Sequence, residues 1–365
     1  MSRTGGRAVH EGRRAVGRRL AAKGIRTGLL VAAMLAAGGC GSAGVLVPPS
    51  GDPVWGASTG AGFPAPVTPQ AFQRASEAGI GYVRFAVGQS RVQPTGPADW
   101  NDALWTQVIA QAAALGLRPL VQLGWPPAWN SSAPPGTPAE EVIFYPPRDE
   151  GAWRAFVARF VGQYPQVLHW EVWNEPDLLG AWRGTPQQYA YWLQVTAQAV
   201  RGANPRARVV LGGLALGGRR LDPDFLEDIL GDPQYPAGPN FDVMNVHLYR
   251  PEEMAARMDA VRSTLARFGV GDRPIWVTET GYPSDPAEQA AKGFTDPRYQ
   301  GPQGQAQWLR DHLPALRALG AATVFWFKLH DSDANPEART YGLLDQAAQP
   351  KPAYDAYREV IRGTP

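Results

Sequence analysis

The stretch that decides the fold is His169-Trp170-Glu171-Val172-Trp173-Asn174-Glu175-Pro176, an apolar run that ends at a proline. It predicts a strand that carries an amide and a carboxyl, Asn174 and Glu175, at its C-terminal end. Farther along the chain, Ile275-Trp276-Val277-Thr278-Glu279-Thr280-Gly281 repeats the design, with one carboxyl near the end of an apolar run. Two carboxylates, Glu175 and Glu279, are therefore expected at the ends of strands, and they are the first candidates for functional residues.

Short apolar runs alternate with helix-period segments along the chain after residue 53. Thr68-Pro69 and Thr185-Pro186 mark helix starts, because a capping hydroxyl precedes a proline in the first turn. Eight strand–helix units favour an α/β fold, a single (β/α)8 barrel. The predicted strands are 54–58, 80–87, 118–123, 167–175, 208–214, 241–249, 274–280 and 321–329.

A doubly wound sheet is the competing fold. It is disfavoured because Gly56-Ala57-Ser58-Thr59-Gly60, after the first strand, lacks the GxGxxG spacing of a phosphate-binding turn. In a barrel the active site lies at the C-terminal ends of the strands, which is where Glu175 and Glu279 fall. Each carboxylate alone has a structural explanation, a helix N-terminal acid or an ion pair at the rim. Their joint occurrence favours a pair that cleaves glycosidic bonds, in which one carboxyl protonates the leaving oxygen and the other is ionised.

The motifs Trp173-Asn174-Glu175-Pro176 and Thr278-Glu279-x-Gly281 resemble the fourth- and seventh-strand signatures of clan A glycoside hydrolases. The resemblance covers the barrel, residues 53–362. It implies a retaining hydrolase in which Glu175 is the acid/base and Glu279 the nucleophile. It also implies that Asn174 hydrogen-bonds the 2-hydroxyl of the sugar.

The same resemblance assigns supporting residues. Arg84 would lie beneath Glu279 and keep it ionised, although a surface arginine is the alternative. His247 and Tyr249 resemble the clan's His-x-Tyr pair, with Tyr249 donating to Glu279, and a satisfied core histidine is the competing account of His247. Trp326 would form the aromatic floor on which the sugar stacks.

Other positions are less specific. Trp125, in the segment 124–129, is expected to wall a subsite, but this segment lacks the histidine of some cellulase-like members and so favours a family 39-like enzyme. That interpretation favours xylosides or a secreted exopolysaccharide as substrate. Glu171 is interpreted as a structural partner of Arg84 deeper in the barrel. The segment 330–333 would bind sugar hydroxyls or a cation, or form a solvated loop. No HExxH, CxxC or EF-hand spacing occurs, so neither a metal nor a cofactor is predicted.

Residues 1–39 have the layout of an export signal, with a basic start and an apolar run at 28–37 that is too short to span a bilayer. Cys40, the single cysteine, follows small residues as in a bacterial lipobox, so lipidation there is predicted, with residues 40–52 as a linker and 53–365 as the catalytic barrel. The expected location is the cell envelope, with a plain secreted or periplasmic protein as the alternative. The membrane is expected to be touched only through a lipid on Cys40.

Charge excludes one class of partner. The full chain has a net charge of +2, but residues 1–39 hold eight Lys/Arg and one acid, so the remaining 27 basic and 32 acidic residues carry about −5. Nucleic acid is therefore not expected as a partner, and a carbohydrate is. A carbohydrate-binding or envelope scaffold protein without turnover is the alternative function. The matched carboxylates argue against it.

Overall fold

The computed structural model of the protein describes residues 54–59, 68–218 and 220–363. The predicted export signal, Cys40 and the linker lie outside these residues. Eight parallel strands form one sheet, and they confirm the predicted (β/α)8 barrel. The strands are β1 (Trp55–Ser58), β2 (Tyr82–Gly88), β3 (Arg118–Gly124), β4 (His169–Val172), β5 (Arg208–Leu211), β6 (Met244–His247), β7 (Ile275–Thr280) and β8 (Thr323–Phe327).

The sheet runs in the order β5-β4-β3-β2-β1-β8-β7-β6, so β5 and β6 are its two edges. They meet through isolated parallel bridges, Val210 with Val243 and Leu214 with Val246. The backbone N–H of His247 donates to the carbonyl of Leu214 at 2.8 Å in the same place. These contacts close the sheet into a barrel.

Helices follow the strands and surround the barrel. The Thr68 side chain caps the first long helix, and Thr185 forms a reciprocal capping box with Gln188, as the Thr-Pro pairs predicted. In the described part of the chain, no helix is long and apolar enough to cross a membrane. The helices are α1 (Pro69–Ala78), α2 (Gln89–Val92), α3 (Ala103–Ala114), α4 (Glu150–Gln163), α5 (Pro186–Ala203), α6 (Phe225–Gly231), α7 (Pro251–Arg267), α8 (Pro286–Ala291), α9 (Gly301–Ala318) and α10 (Pro352–Gly363).

The barrel interior is apolar at its base and polar above. Large side chains fill the base, among them Tyr82, whose ring lies 5.1 Å from that of Trp276 and 5.7 Å from that of Phe325. Arg84 stands two residues beyond Tyr82 on β2 and therefore lies higher on the same face. A second, larger core packs the outward faces of the strands against the helices. The apolar base thus supports a polar layer at the C-terminal ends of the strands.

The strand predicted at 167–175 is shorter than expected, because β4 ends at Val172. Trp173 (φ 71°) and Glu175 (φ 46°) have left-handed backbone conformations, which cannot continue a strand. The indole of Trp173 consequently leaves the barrel interior, stacks on Trp125 and packs edge-on against Trp182. Glu175 is therefore a loop residue rather than the last residue of a strand.

Candidate active site

Glu279 enters the barrel through an irregularity in β7. Trp276 faces the interior and Val277 faces the helices, as strand alternation requires. The register then shifts between Val277 and Thr280 against β8, and between Val246 and His247 against β6. A bulge of this kind re-aims side chains. Both Thr278 and Glu279 therefore have hydrogen-bond partners inside the barrel.

Arg84 is the centre of the polar layer and is 0% exposed. Its Nε and Nη2 donate to the two oxygens of Glu171 at 2.7 and 2.9 Å, which is the pairing that the sequence predicted. Its Nη1 donates to Glu279 Oε1 at 2.6 Å, and its Nη2 also donates to Asn174 Oδ1 at 2.8 Å. One buried guanidinium thus orients three side chains that come from two strand ends.

Glu279 is held in its ionised form. Its side chain is 5% exposed, and Tyr249 Oη donates to Oε2 at 2.7 Å, as the resemblance implied. Burial alone would raise the pKa of this carboxyl, but the charges of His247 and Arg84, with the hydrogen bonds from Arg84 and Tyr249, bring the pKa below its ordinary value. The result is a fixed carboxylate on the floor of the site.

His247 connects the two predicted catalytic carboxyls. Its Nδ1 lies 2.9 Å from Glu175 Oε1, and its Nε2 lies 3.1 Å from Thr278 Oγ1 and 3.8 Å from Glu279 Oε1. The Thr278 hydroxyl donates its hydrogen to Asn245 at 2.8 Å, so its oxygen is free to accept from Nε2.

The Nε2 of His247 also lies 3.4 Å from Arg84 Nη2, so the imidazole is enclosed by two carboxylates and one guanidinium. Burial disfavours the charged form of His247, but the charges of Glu279 and Glu175 and the hydrogen bond to Glu175 outweigh burial and raise the pKa of the imidazole. His247 is thus both a buried, hydrogen-bonded histidine and a contact of Glu175.

Glu175 reaches the same place from its loop. Its backbone N–H donates to the carbonyl of Gly213 at 3.0 Å, which ties the loop after β4 to the loop after β5. Its side chain is 26% exposed, compared with 5% for Glu279. One carboxylate oxygen from each glutamate and one nitrogen of His247 lie within 4.8 Å of one another. The two carboxyls are therefore close to each other, and that of Glu175 is open to solvent whereas that of Glu279 is enclosed.

Asn174 is fixed through its oxygen. Oδ1 accepts from Arg84 Nη2 at 2.8 Å and from Gln122 Nε2 at 2.9 Å. Because the Arg84 guanidinium can only donate, it specifies which end of the Asn174 amide is the oxygen. The Nδ2 group is consequently left to donate to a ligand.

The carboxyls open into a cavity of about 710 Å³. Its wall contains two cationic residues, Arg250 and Lys292, that sequence reasoning missed. They lie in connections after strands, where no periodic pattern marks them. The lining residues are Glu175, Tyr249, Arg250, Glu279, Lys292, Phe294, Phe327, Asn335, Glu337, Ala338 and Tyr341.

The structure contradicts the prediction that Trp326 forms the floor of the site. Trp326 is 0% exposed, faces the helices, packs edge-on against Trp308 at 5.8 Å and donates to the carbonyl of Tyr341. Its neighbour Phe327 lines the cavity instead and packs edge-on against Tyr249. The reason is strand alternation, since Phe325 and Phe327 share the inward face of β8.

Trp125 is not among the residues that line the cavity. Its backbone is left-handed (φ 56°), and its ring stacks on Trp173 at 5.8 Å with an interplanar angle of 22°. That Trp125 walls a neighbouring subsite therefore stays a prediction. The ring packs beside the loop that carries Glu175.

The segment after β8 is held by internal contacts. Asp331 pairs with Lys351 and accepts from the backbone N–H of Gly342, and Asp333 accepts from Gln346. Among the described residues, the group with spacing suited to a metal ion is Glu175, His247 and Glu279. His247 is hydrogen-bonded to Glu175, and Glu279 accepts from Arg84 and Tyr249, so each of these side chains already has a protein partner.

The sequence matches a known family over most of its length. The family is described as Cellulase (glycosyl hydrolase family 5), and the match spans residues 47–326. The segment 124–129 lacks the histidine of some cellulase-like members, and on that ground alone the sequence favours a family 39-like enzyme. The pattern across the whole barrel outweighs that single position.

A curated relative adds a second comparison. The chain is 28% identical over 227 residues to a β-xylosidase from Geobacillus stearothermophilus. The match covers 53% of this chain and 44% of that enzyme. The chain thus spans less than half the length of this relative.

Solved structures share the fold. A family 39 β-xylosidase from Caulobacter crescentus superposes with a TM-score of 0.63 at 21% identity, covering 85% of this chain and 71% of that one. A GH5_18 enzyme from Streptomyces cattleya, in complex with GlcNAc, gives a TM-score of 0.63 at 19% identity, covering 86% and 82%. At these identities the likeness is one of fold.

Proposed function

We propose, on the premise that this chain belongs to the cellulase family (glycosyl hydrolase family 5) of clan A glycoside hydrolases, that it cleaves O-glycosidic bonds with retention. Glu279 is the nucleophile and Glu175 the acid/base. The comparisons support a glycoside hydrolase, and the finer assignment rests on the geometry of the site.

The observation that carries the proposal is the closeness of two unlike carboxyls. An oxygen of Glu175 and an oxygen of Glu279 lie within 4.8 Å. Retaining enzymes place their carboxyls roughly 5 to 5.5 Å apart, whereas inverting enzymes need about 6.5 to 9.5 Å to admit a water between acid and base. The short separation supports double displacement.

In the first step a Glu279 oxygen attacks the anomeric carbon as the bond to the leaving oxygen breaks. Glu175 gives its proton to that oxygen, so the leaving group departs as a neutral alcohol. In the second step Glu175 takes a proton from water, whose oxygen attacks the anomeric carbon and releases Glu279 as a carboxylate. The product sugar keeps its anomeric configuration.

The surrounding residues act on these steps. Arg84 and Tyr249 hold Glu279 ionised and aimed before attack, and they lose electrostatic interaction with it once the ester forms. They regain that interaction when hydrolysis releases the carboxylate. The free Nδ2 of Asn174 donates to a sugar hydroxyl, and Phe327 offers an aromatic surface to the ring.

The substrate is an oligosaccharide or polysaccharide met outside the cytoplasm. The relative from Geobacillus stearothermophilus makes β-xylosides the first substrates to test. We infer export from the basic and apolar layout of residues 1–39, with a lipid on Cys40 as anchor. Globomycin treatment of cells that make the full chain should accumulate the precursor. A precursor of unchanged abundance and size would contradict the lipid anchor.

Trapping and stereochemistry test the mechanism. The full chain is incubated with aryl glycosides of xylose, glucose, galactose and mannose, and with their 2-deoxy-2-fluoro forms. We expect a fluorosugar ester on Glu279 in the peptide digest, and a first product of retained configuration by proton NMR. A label on another residue, or an inverted first product, overturns the assignment. Absence of turnover across aryl glycosides and a polysaccharide panel favours a carbohydrate-binding protein.

A further inference from the structure

Two cations lie on one side of the cavity. Arg250 directly follows Tyr249 and precedes the first turn of α7, and Lys292 follows the last turn of α8. Both line the cavity that holds Glu175 and Glu279. A bound sugar that contacts Glu279 is therefore within reach of positive charge.

Arg250 is held in place by its surroundings. Its Nη2 donates to the backbone carbonyl of Lys292 at 2.7 Å, and its guanidinium carbon lies 4.4 Å from the centre of the Phe294 ring. Stacking on an aromatic face and a hydrogen bond to a fixed carbonyl restrict the side chain without neutralising it. A guanidinium has five N–H donors, so this arrangement leaves several for a ligand.

Within the part of the chain that the structure describes, neither cation has a carboxylate partner. Among the described residues, no Asp or Glu lies within ion-pair distance of Arg250 or Lys292, whereas Arg257 of the same helix pairs with Glu253 and Arg298 pairs with Asp296. Glu337 also lines the cavity, but it is exposed and pairs with neither. Unpaired, pre-positioned cations in a cleft favour an anionic ligand.

We propose that this cleft selects an anionic sugar, one that carries a carboxylate or a sulfate placed against Arg250 and Lys292. The inference deepens the proposed glycoside hydrolase function and rests on it. Arg250 supplies the fixed fork that matches a planar anion, and Lys292 adds a point charge. The substrate class is thus a uronic-acid-containing or sulfated glycan rather than a neutral one.

Binding to a variant without the nucleophile tests selectivity independently of turnover. Calorimetric titrations of full-length Glu279→Ala compare xylotriose with its glucuronosyl-branched form, and a galactan tetrasaccharide with and without sulfate esters. We expect at least one anionic member to bind about 10- to 100-fold more tightly than its neutral partner, since charge-assisted hydrogen bonds are lost in the neutral one. A preference for the glucuronosyl-branched sugar would identify carboxylate as the bound anion, and a preference for the sulfated sugar would identify sulfate.

Variants that remove a positive charge test whether Arg250 and Lys292 cause the preference for anionic sugars. Arg250→Gln should reduce the preference to near unity, Lys292→Gln should reduce it less, and Arg250→Lys should give an intermediate value. Arg262→Gln, on the exposed side of α7, is the matched control. A preference that survives Arg250→Gln, or anionic members that bind no better than neutral ones, overturns the inference. Selective binding without hydrolysis by the wild type would instead overturn the proposed function alone.

Discussion

The loop after β4 and the end of β7 each place a glutamate carboxyl in the same cavity, but the backbone differs between them. Glu175 sits on a loop made by two left-handed residues and is partly open to solvent. Glu279 stays within a strand, where a bulge turns it inward beneath the hydrogen bonds of Arg84 and Tyr249. An acid must exchange protons with solvent, whereas a nucleophile must stay charged and fixed. The two backbones therefore supply two different environments to chemically identical side chains.

The most severe test removes the enclosed carboxylate. Glu279→Ala should lower kcat/KM by about 10⁴-fold or more, because the covalent step has no substitute. Added azide should then enter the vacated space and give a glycosyl azide of inverted configuration, which NMR detects. A retained azide would assign Glu279 to the other role. Melting temperature checks that the variant is folded.

Removing the open carboxyl should depend on the leaving group. Glu175→Ala should lower kcat/KM by about 10² to 10⁴-fold for an alkyl glycoside, because the leaving oxygen no longer receives a proton. The loss should be much smaller for a dinitrophenyl glycoside, which departs without one. Equal losses on both substrates would mean that the two glutamates do not differ in role.

The environment of the enclosed carboxylate should appear in the pH profile. Glu279 must be ionised to attack, so activity falls as the pH drops through its pKa, which lies below the ordinary value. Tyr249→Phe removes a donor to the ionised form, so this pKa rises and the acid limb of kcat/KM moves to higher pH, with a plateau about tenfold lower. Tyr235→Phe, outside the cavity, is the control. An unmoved acid limb would show that Tyr249 does not stabilise the charge.

The smallest effect on activity is expected from Asp177, which holds the loop after β4 against the loop after β5. Asp177 is buried and accepts from the backbone N–H groups of Ala215 and Leu216 at 3.0 and 2.8 Å. Asp177→Asn places an N–H against one of these donors and should lower the free energy of unfolding by about 1 to 3 kcal/mol. Urea unfolding measures the loss. The fall in kcat/KM should be smaller than for Tyr249→Phe, and a larger fall would mean that this loop controls Glu175 directly.

The sequence predicted the strands and most helices from periodicity. It predicted the Arg84–Glu171 pair from strand alternation together with the family resemblance that placed Arg84 in the barrel. The sequence placed Glu175 correctly in the cavity, but it predicted that Glu175 ends a strand, whereas the residue lies in the loop after β4. Trp173 leaves the strand and packs against Trp182 in the following loop and against Trp125, which comes from the end of β3. The contact with Trp125 joins two separate strand ends, so the residues around Trp173 alone do not indicate the change.

The β8 and β7 ends show two further limits. Phe325-Trp326-Phe327 has an aromatic side chain on both faces, so composition does not tell which one meets a ligand. With regular alternation along β7, Thr278 would face the barrel interior and Glu279 would face the helices. The bulge that corrects this is fixed by pairing with neighbouring strands. Arg250 and Lys292 escape prediction because loop geometry alone brings them to the cavity.

The closure between β5 and β6 has a consequence for heat inactivation. These edges meet through single bridges, whereas the other neighbouring strands share runs of paired residues. Amide hydrogens at this seam should exchange with deuterium before those of β2 and β3, because fewer bonds must break for the seam to open. His247 is bonded to Leu214 across it. Warming should therefore separate the imidazole from Glu175, and stop turnover, while most of the circular dichroism of the barrel persists.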